Sequence, residues 1–151
     1  RRPPRSTLDR SSAASDVYKR QLPEIGKTAE FRKTMTVAEQ ALFTGISGNL
    51  HPLYVNEIHA VSAGAGGRLA FELAVAALVT TALAEIGGPP LRLGAVDLKF
   101  PIPTRIGDTI AAQAEVIEAS ETKIRCAVRC SRDNGPVVAE GTADLVPIEN
   151  R

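Results

Sequence analysis

The longest apolar run in the chain, Leu69 to Ile86, holds 18 residues and only two charges, Glu72 and Glu85. Ala and Leu dominate it, and both are strong helix formers. A membrane-spanning helix needs about 20 apolar residues, and an unpaired carboxylate within one is costly. The run is therefore expected to be the buried helix of a folded domain, over about 68–86. Ala63-Gly-Ala-Gly-Gly67 precedes it as a loop, and Gly87-Gly88-Pro89-Pro90 stops it.

What flanks this helix is uneven. Ahead of it, Ala29 to Met35 reads as a strand. Thr36 with Glu39 three residues on is a capping-box pattern, and it predicts a helix from Val37 to about Ile46 that buries Ala41, Leu42 and Phe43. Pro52 suits the first turn of a second short helix running through Ala60. After the long helix the pattern predicts strands alone: Leu91–Phe100, Thr109–Ile117, Lys123–Ser131 and Val137–Val146. Ile124, Cys126, Val128 and Cys130 share one face of the third, the alternation of a half-buried strand. Asp133-Asn134-Gly135 is a hairpin turn. The reading is a four-strand antiparallel meander closing around the helix.

The pI of about 8.0 suggests a mildly basic protein, but the basic charge is unevenly placed. Residues 11–21 back-translate in frame into a transposase adapter used in short-read sequencing. Arg1 to Thr7 resemble the flow-cell primer that precedes it, and Leu8-Asp9-Arg10 would be a sample index. Residues 1–21 are accordingly read as a non-native, disordered segment and left out of the fold. Six of the 18 basic and two of the 17 acidic residues lie there, so the remainder carries 12 against 15, a formal charge of −3. With it goes any case for nucleic-acid binding; the aromatic content of 4% also offers no stacking platform. The folded domain is expected over 22–148, with 149–151 a tail. Cys126 and Cys130, four apart in a strand, stand roughly 13 Å from each other at the usual rise per residue, too far for a disulfide. A reducing cytoplasm is the expected compartment. His51 and His59 make no zinc spacing, and His59 is read as a surface residue. Ser47, within Gly45-Ile-Ser47-Gly48, is not in a nucleophile elbow.

Two further segments carry a family resemblance. Phe43-Thr-Gly-Ile-Ser-Gly-Asn-Leu-His-Pro-Leu-Tyr-Val-Asn56 resembles the hydratase signature of the MaoC-like dehydratases and (R)-specific enoyl-CoA hydratases, matching it at Phe43, Ser47, Gly48, Pro52 and Leu53. Lys99-Phe100-Pro101-Ile102-Pro103-Thr104-Arg105-Ile106-Gly107-Asp108-Thr109 resembles that family's Arg-Phe-x-x-Pro-Val-x-x-Gly-Asp-Thr segment. The resemblance implies an α+β protein, a single hotdog fold with its antiparallel sheet wrapped around the long helix. It also implies a homodimer, an acyl-CoA or acyl-carrier thioester as ligand, no resident cofactor or metal, and no membrane or nucleic-acid partner.

The same resemblance places the site. The family's catalytic Asp falls on Asn49 and its His on Tyr54; His51 holds the family's Asn position. Asn49 has no titratable proton, and a tyrosine with a reference pKa near 10 is a poor base at neutral pH. Phe71 and Glu72 fall on the His-Gly pair at the start of the family's long helix. The expected catalytic set is thus Asn49, His51, Tyr54 and Glu72, lined by Ser47, Gly48, Pro52, Gly66, Gly67 and Phe71. Backbone N–H groups of the glycines and of the turn from Arg68 to Glu72 would face the thioester carbonyl. The implied activity is hydration or dehydration of the thioester. A thioesterase using Glu72 and a non-catalytic thioester-binding or subunit-partner protein are the alternatives.

Overall fold

The computed structural model describes residues 21–133 and 135–148. The adapter-like segment up to residue 20, the turn residue Asn134 and the tail 149–151 lie outside the described residues. The elements run β1 (Thr28–Thr34), α1 (Val37–Ser47), α2 (Pro52–Val55), α3 (Glu57–Ser62), α4 (Glu72–Ala77), α5 (Val79–Gly87), β2 (Leu91–Lys99), β3 (Thr109–Ala119), β4 (Ile124–Arg132) and β5 (Val137–Pro147). The five strands form one antiparallel sheet in the order β1-β3-β4-β5-β2. Helix α5 packs against β1, β3, β2 and β4, so the sheet covers one side of it. This is the α+β architecture expected.

The core follows from two periodicities meeting. Along α4 and α5 the residues of the core cluster are Val75, Leu78, Val79, Ala82, Leu83 and Ile86, the spacing of one helix face. Along β4 they are Ile124, Cys126, Val128 and Cys130, as expected. Their sheet neighbours Ala112 and Ala114 on β3 and Ala139 and Ala143 on β5 are small, which lets a helix sit close to the strands. Both cysteines are free and buried. No helix among the described residues is long and apolar enough to cross a membrane.

Three expectations are corrected. First, the four late strands are not one meander. Only β3-β4-β5 are joined as neighbours, and β2 pairs with β5 at the far edge. Pro101 and Pro103 end β2, and the segment that follows is held elsewhere: Ala70 N–H donates to Thr104 O and Ile106 N–H to Arg68 O. It also meets β1's end, where Gly107 N–H donates to Met35 O and Met35 N–H to Asp108 O. The chain thus crosses over before entering β3 beside β1.

Second, the long helix starts at Glu72 rather than Arg68. Leu69 forms a β-bridge with Arg105, which commits the preceding residues to an extended path. The helix also tightens at Leu78, which keeps right-handed helical dihedrals while Leu78 N–H donates to Val75 O and Thr81 N–H to Leu78 O. Thr80 Oγ1 donates to Ala77 O at 2.6 Å, and such back-bonding by threonine commonly bends a helix. Likewise the second short helix is broken at Asn56, whose side chain caps α3 by accepting from His59 N–H.

Third, α1 turns a different face inward. Leu42 is 69% exposed and Ala41 is also exposed, while Gln40 is buried. The Thr36–Glu39 capping box does form. What selects the inward face is the hydrogen bonding of Gln40.

Candidate active site

The signature loop is built by its own backbone. Gly48 caps α1 with a left-handed φ of 69°, a conformation that disfavours any Cβ, and its N–H donates to Thr44 O. Ser47 Oγ donates to Phe43 O at 2.7 Å and accepts from Asn49 N–H at 3.2 Å. Asn49 Oδ1 then accepts from His51 N–H at 2.9 Å, and His51 Nδ1 accepts from Leu53 N–H at 3.3 Å. Pro52 occupies the first helical turn behind the His51 cap. Ser47, Gly48, Asn49, His51 and Pro52 therefore all serve the turn geometry, and apart from the half-exposed neighbours of Tyr54 this stretch is solvent-facing.

Gln40 ties the loop to the start of the long helix. Its Nε2 donates to Tyr54 O at 3.0 Å and to Leu69 O at 2.9 Å, and its Oε1 accepts from Phe71 N–H at 3.2 Å. One buried amide thus joins three segments. Nothing in the sequence analysis pointed to it. A signal was present: Gln40, Phe43 and Thr44 lie at i, i+3 and i+4, so a polar side chain shares a helix face with an aromatic one, and such a group needs partners when buried.

The side chains that meet are Tyr54, Phe71 and Glu72. Tyr54 Oη donates to Glu72 Oε2 at 2.7 Å. The Tyr54 ring stacks on Phe71 with centroids 4.4 Å apart, and Phe43 packs tilted against Phe71 at 4.7 Å. The His51 ring stands edge-on to Tyr54 at 5.9 Å. Burial, with the adjacent Glu72 carboxylate as acceptor, pushes the Tyr54 hydroxyl up to about 12. Tyr54 is therefore a proton-bearing donor at neutral pH, and Glu72 Oε1 is left for another partner.

The expected backbone donors are mostly taken. Arg68 N–H donates to Glu57 Oε2, Leu69 N–H to Leu53 O, Ala70 N–H to Thr104 O and Phe71 N–H to Gln40 Oε1. This corrects the expectation for the turn from Arg68: the donors there hold the scaffold. Among the described residues no side chain caps the N-terminus of α4 at Phe71, so the first-turn N–H groups from Glu72 onward are the ones without intrahelical partners. Gly67 is buried beside Glu57, and Gly66 lies beneath the Arg105 guanidinium. His59 is on the surface. A cleft of about 520 Å³ bordered by Glu30, Glu85, Gln113 and Arg129 includes neither Tyr54 nor Glu72. Among the described residues no group of His, Cys, Asp and Glu is arranged to hold a metal.

Comparison with known proteins gives the family. The family model described as a MaoC like domain matches residues 20–133. A 3-hydroxybutyryl-CoA dehydratase of Methylorubrum extorquens is 30% identical over 122 residues, covering 80% of this chain and 78% of that protein. An (R)-specific enoyl-CoA hydratase of Rhodospirillum rubrum is 31% identical over 123 residues, covering 80% and 85%. The structure of the R-hydratase PhaJ1 from Pseudomonas aeruginosa superposes with a TM-score of 0.76 at 26% identity, covering 84% of this chain and 83% of that one. The chain belongs to the MaoC-like family and has its hotdog fold.

Proposed function

We propose that this MaoC-like chain binds an acyl-CoA-type thioester and adds or removes water across its 2,3 bond, with Glu72 as the acid–base group. The observation that carries the reading is the Tyr54–Glu72 hydrogen bond at 2.7 Å. It puts a titratable carboxylate, oriented by a protonated phenol, where the signature loop meets the helix start. Asn49 cannot take up a proton, and its Oδ1 is engaged by His51 N–H in the turn. The names of the two curated relatives, a dehydratase and a hydratase of CoA thioesters, support the ligand class.

In the hydration direction Glu72 Oε1 accepts a proton from water as the water oxygen bonds to C3. The electron pair of the double bond moves onto C2 and the thioester carbonyl. The first-turn N–H groups of α4 face the developing enolate, where fixed donors act most strongly. The carboxylic acid formed at Glu72 then returns its proton to C2, so one water is added and Glu72 is regenerated. Tyr54 keeps its proton throughout and fixes the carboxylate's orientation.

The test is Glu72→Gln, assayed with crotonyl-CoA for loss of enone absorbance and for free thiol. Turnover is expected to fall by about two orders of magnitude or more, with melting temperature little changed. Thiol release by the unaltered chain would turn the reading to a thioesterase using the same Glu72. Absence of both signals alongside measurable ligand binding would turn it to a binding or partner subunit. The reading includes a homodimer and a reducing cytoplasm. It is supported by the edge strand β2, which leaves Leu93 and Val96 exposed, and by the two free thiols. A solution mass equal to one chain would remove the dimer from it.

A further inference from the structure

We infer that Arg105 is the phosphate-binding residue of the thioester site, taking the phosphate of the ligand's 4′-phosphopantetheine arm. The inference rests on the thioester reading above. Three backbone segments lie side by side at the site: Leu69 N–H donates to Leu53 O, and Leu69 bridges to Arg105 on its other side. At about 4.8 Å between adjacent strands, the Arg105 backbone stands on the order of 10 Å from Leu53, the residue next to Tyr54. A pantetheine arm of a dozen or so bonds of about 1.5 Å puts its phosphate on the order of 10–15 Å from the thioester, within the span that an arginine side chain adds.

The geometry of Arg105 is held, and its charge is not used. Its N–H donates to Asp108 Oδ2 at 2.9 Å, and its carbonyl accepts from Asp108 N–H at 3.1 Å. Asp108 is itself paired with Arg132 at 3.1 Å. The guanidinium lies over Gly66: a Cβ at that position would meet Arg105 Cζ and Nη2 at 3.1 Å and Nη1 at 3.4 Å. Gly66 also has a φ of 73°, which disfavours any side chain. Glu57, the carboxylate beside Gly67, is committed to the N–H and Nε of Arg68. Among the described residues Arg105 makes no ion pair. An exposed guanidinium, seated on a glycine and short of an anion, matches a phosphate in charge and in bidentate geometry.

Three ligands test this by calorimetry: S-acetonyl-CoA, which neither hydrates nor hydrolyses, and its phosphopantetheine and pantetheine counterparts. Both phosphorylated ligands should bind about tenfold more tightly than the pantetheine one, a difference of about 1.4 kcal/mol, and the advantage should shrink with added salt. Arg105→Gln should bring that ratio close to one, and Arg105→Lys should keep part of it. A ratio unmoved by Arg105→Gln in a protein of normal melting temperature would overturn the inference. So would a loss confined to the CoA form, which would assign the contact to a nucleotide phosphate. Equal binding of all three by the unaltered chain would leave the thioester reading standing and remove this one. Binding of none would remove both.

Discussion

The sheet-and-helix core and the corner that holds Tyr54 and Glu72 are built on different principles. In the core, burial repeats every second residue on β4 and every three to four on α5, and the side chains are apolar. In the corner, α1, the loop after it and the residues before α4 are joined by hydrogen bonds to backbone atoms, many through Gln40. Apart from the buried Leu69, Ala70 and Phe71, several large apolar residues there face outward: Ile46 and Ile58 are each 83% exposed and Leu73 64%. Apolar packing defines the frame, and the chemistry sits where directional bonds replace it. Non-directional packing tolerates small shifts, whereas a hydrogen bond fails within an ångström.

The largest expected effect breaks the core. Leu83 is 1% exposed, in the middle of α5. Leu83→Ala should cost about 2–5 kcal/mol in chemical denaturation, the transfer and cavity cost of a buried leucine. Unfolding should remain a single transition, because the corner's few buried apolar residues, Leu69, Ala70 and Phe71, are too small a cluster to hold it alone. A separate, unshifted transition for the corner would show the two regions to be independent and would undo the comparison.

Gln40 sharpens it. Gln40→Ala leaves Phe71 N–H and the carbonyls of Tyr54 and Leu69 without their partner. About 1–3 kcal/mol is expected, the usual cost of an unsatisfied buried group. Hydrogen exchange should locate the loss: the Phe71 amide should be released far more than those around Ala82. Equal acceleration at both places would mean that Gln40 supports the whole fold and not the corner.

The same contrast explains what was legible in the sequence. The β4 face, the helix that crosses the sheet and the capping box at Thr36 follow from periodicity and local chemistry, and they stand where expected. The hotdog architecture was legible through two motifs in order around one helix. The position of β2 was not, because nothing local in Leu91–Lys99 distinguishes β3 from β5 as its partner. The early start expected for the long helix failed because the Leu69–Arg105 bridge is a contact between residues far apart in sequence. At the site, Tyr54 and Glu72 were named and do meet. Asn49 and His51 were named with them, but short polar side chains in a turn bond their own backbone first. Gln40 was missed because a glutamine four residues after a cap looks like surface until the inward face of α1 is known.

The smallest effect probes the pair itself. Tyr54→Phe removes the donor to Glu72 and should cost about 1 kcal/mol at neutral pH, the net worth of one such hydrogen bond. Its pH dependence is the more telling quantity. The Tyr54 hydroxyl is raised from the ordinary 10.0 to about 12. A group whose folded pKa lies above its unfolded value binds its proton more tightly when folded. Its contribution is therefore complete below pH 10 and is lost as the pH climbs to about 12. The stability gap between the unaltered chain and Tyr54→Phe should be constant through neutrality and close over that alkaline interval. Tyrosinate absorbance provides the direct reading, since subtracting the titration of Tyr54→Phe isolates this residue from Tyr18, the other tyrosine of the chain. A difference curve centred near 10 would mean that the phenol is not held against Glu72 in solution. The corner would then lack the orienting contact on which the acid–base role of Glu72 depends.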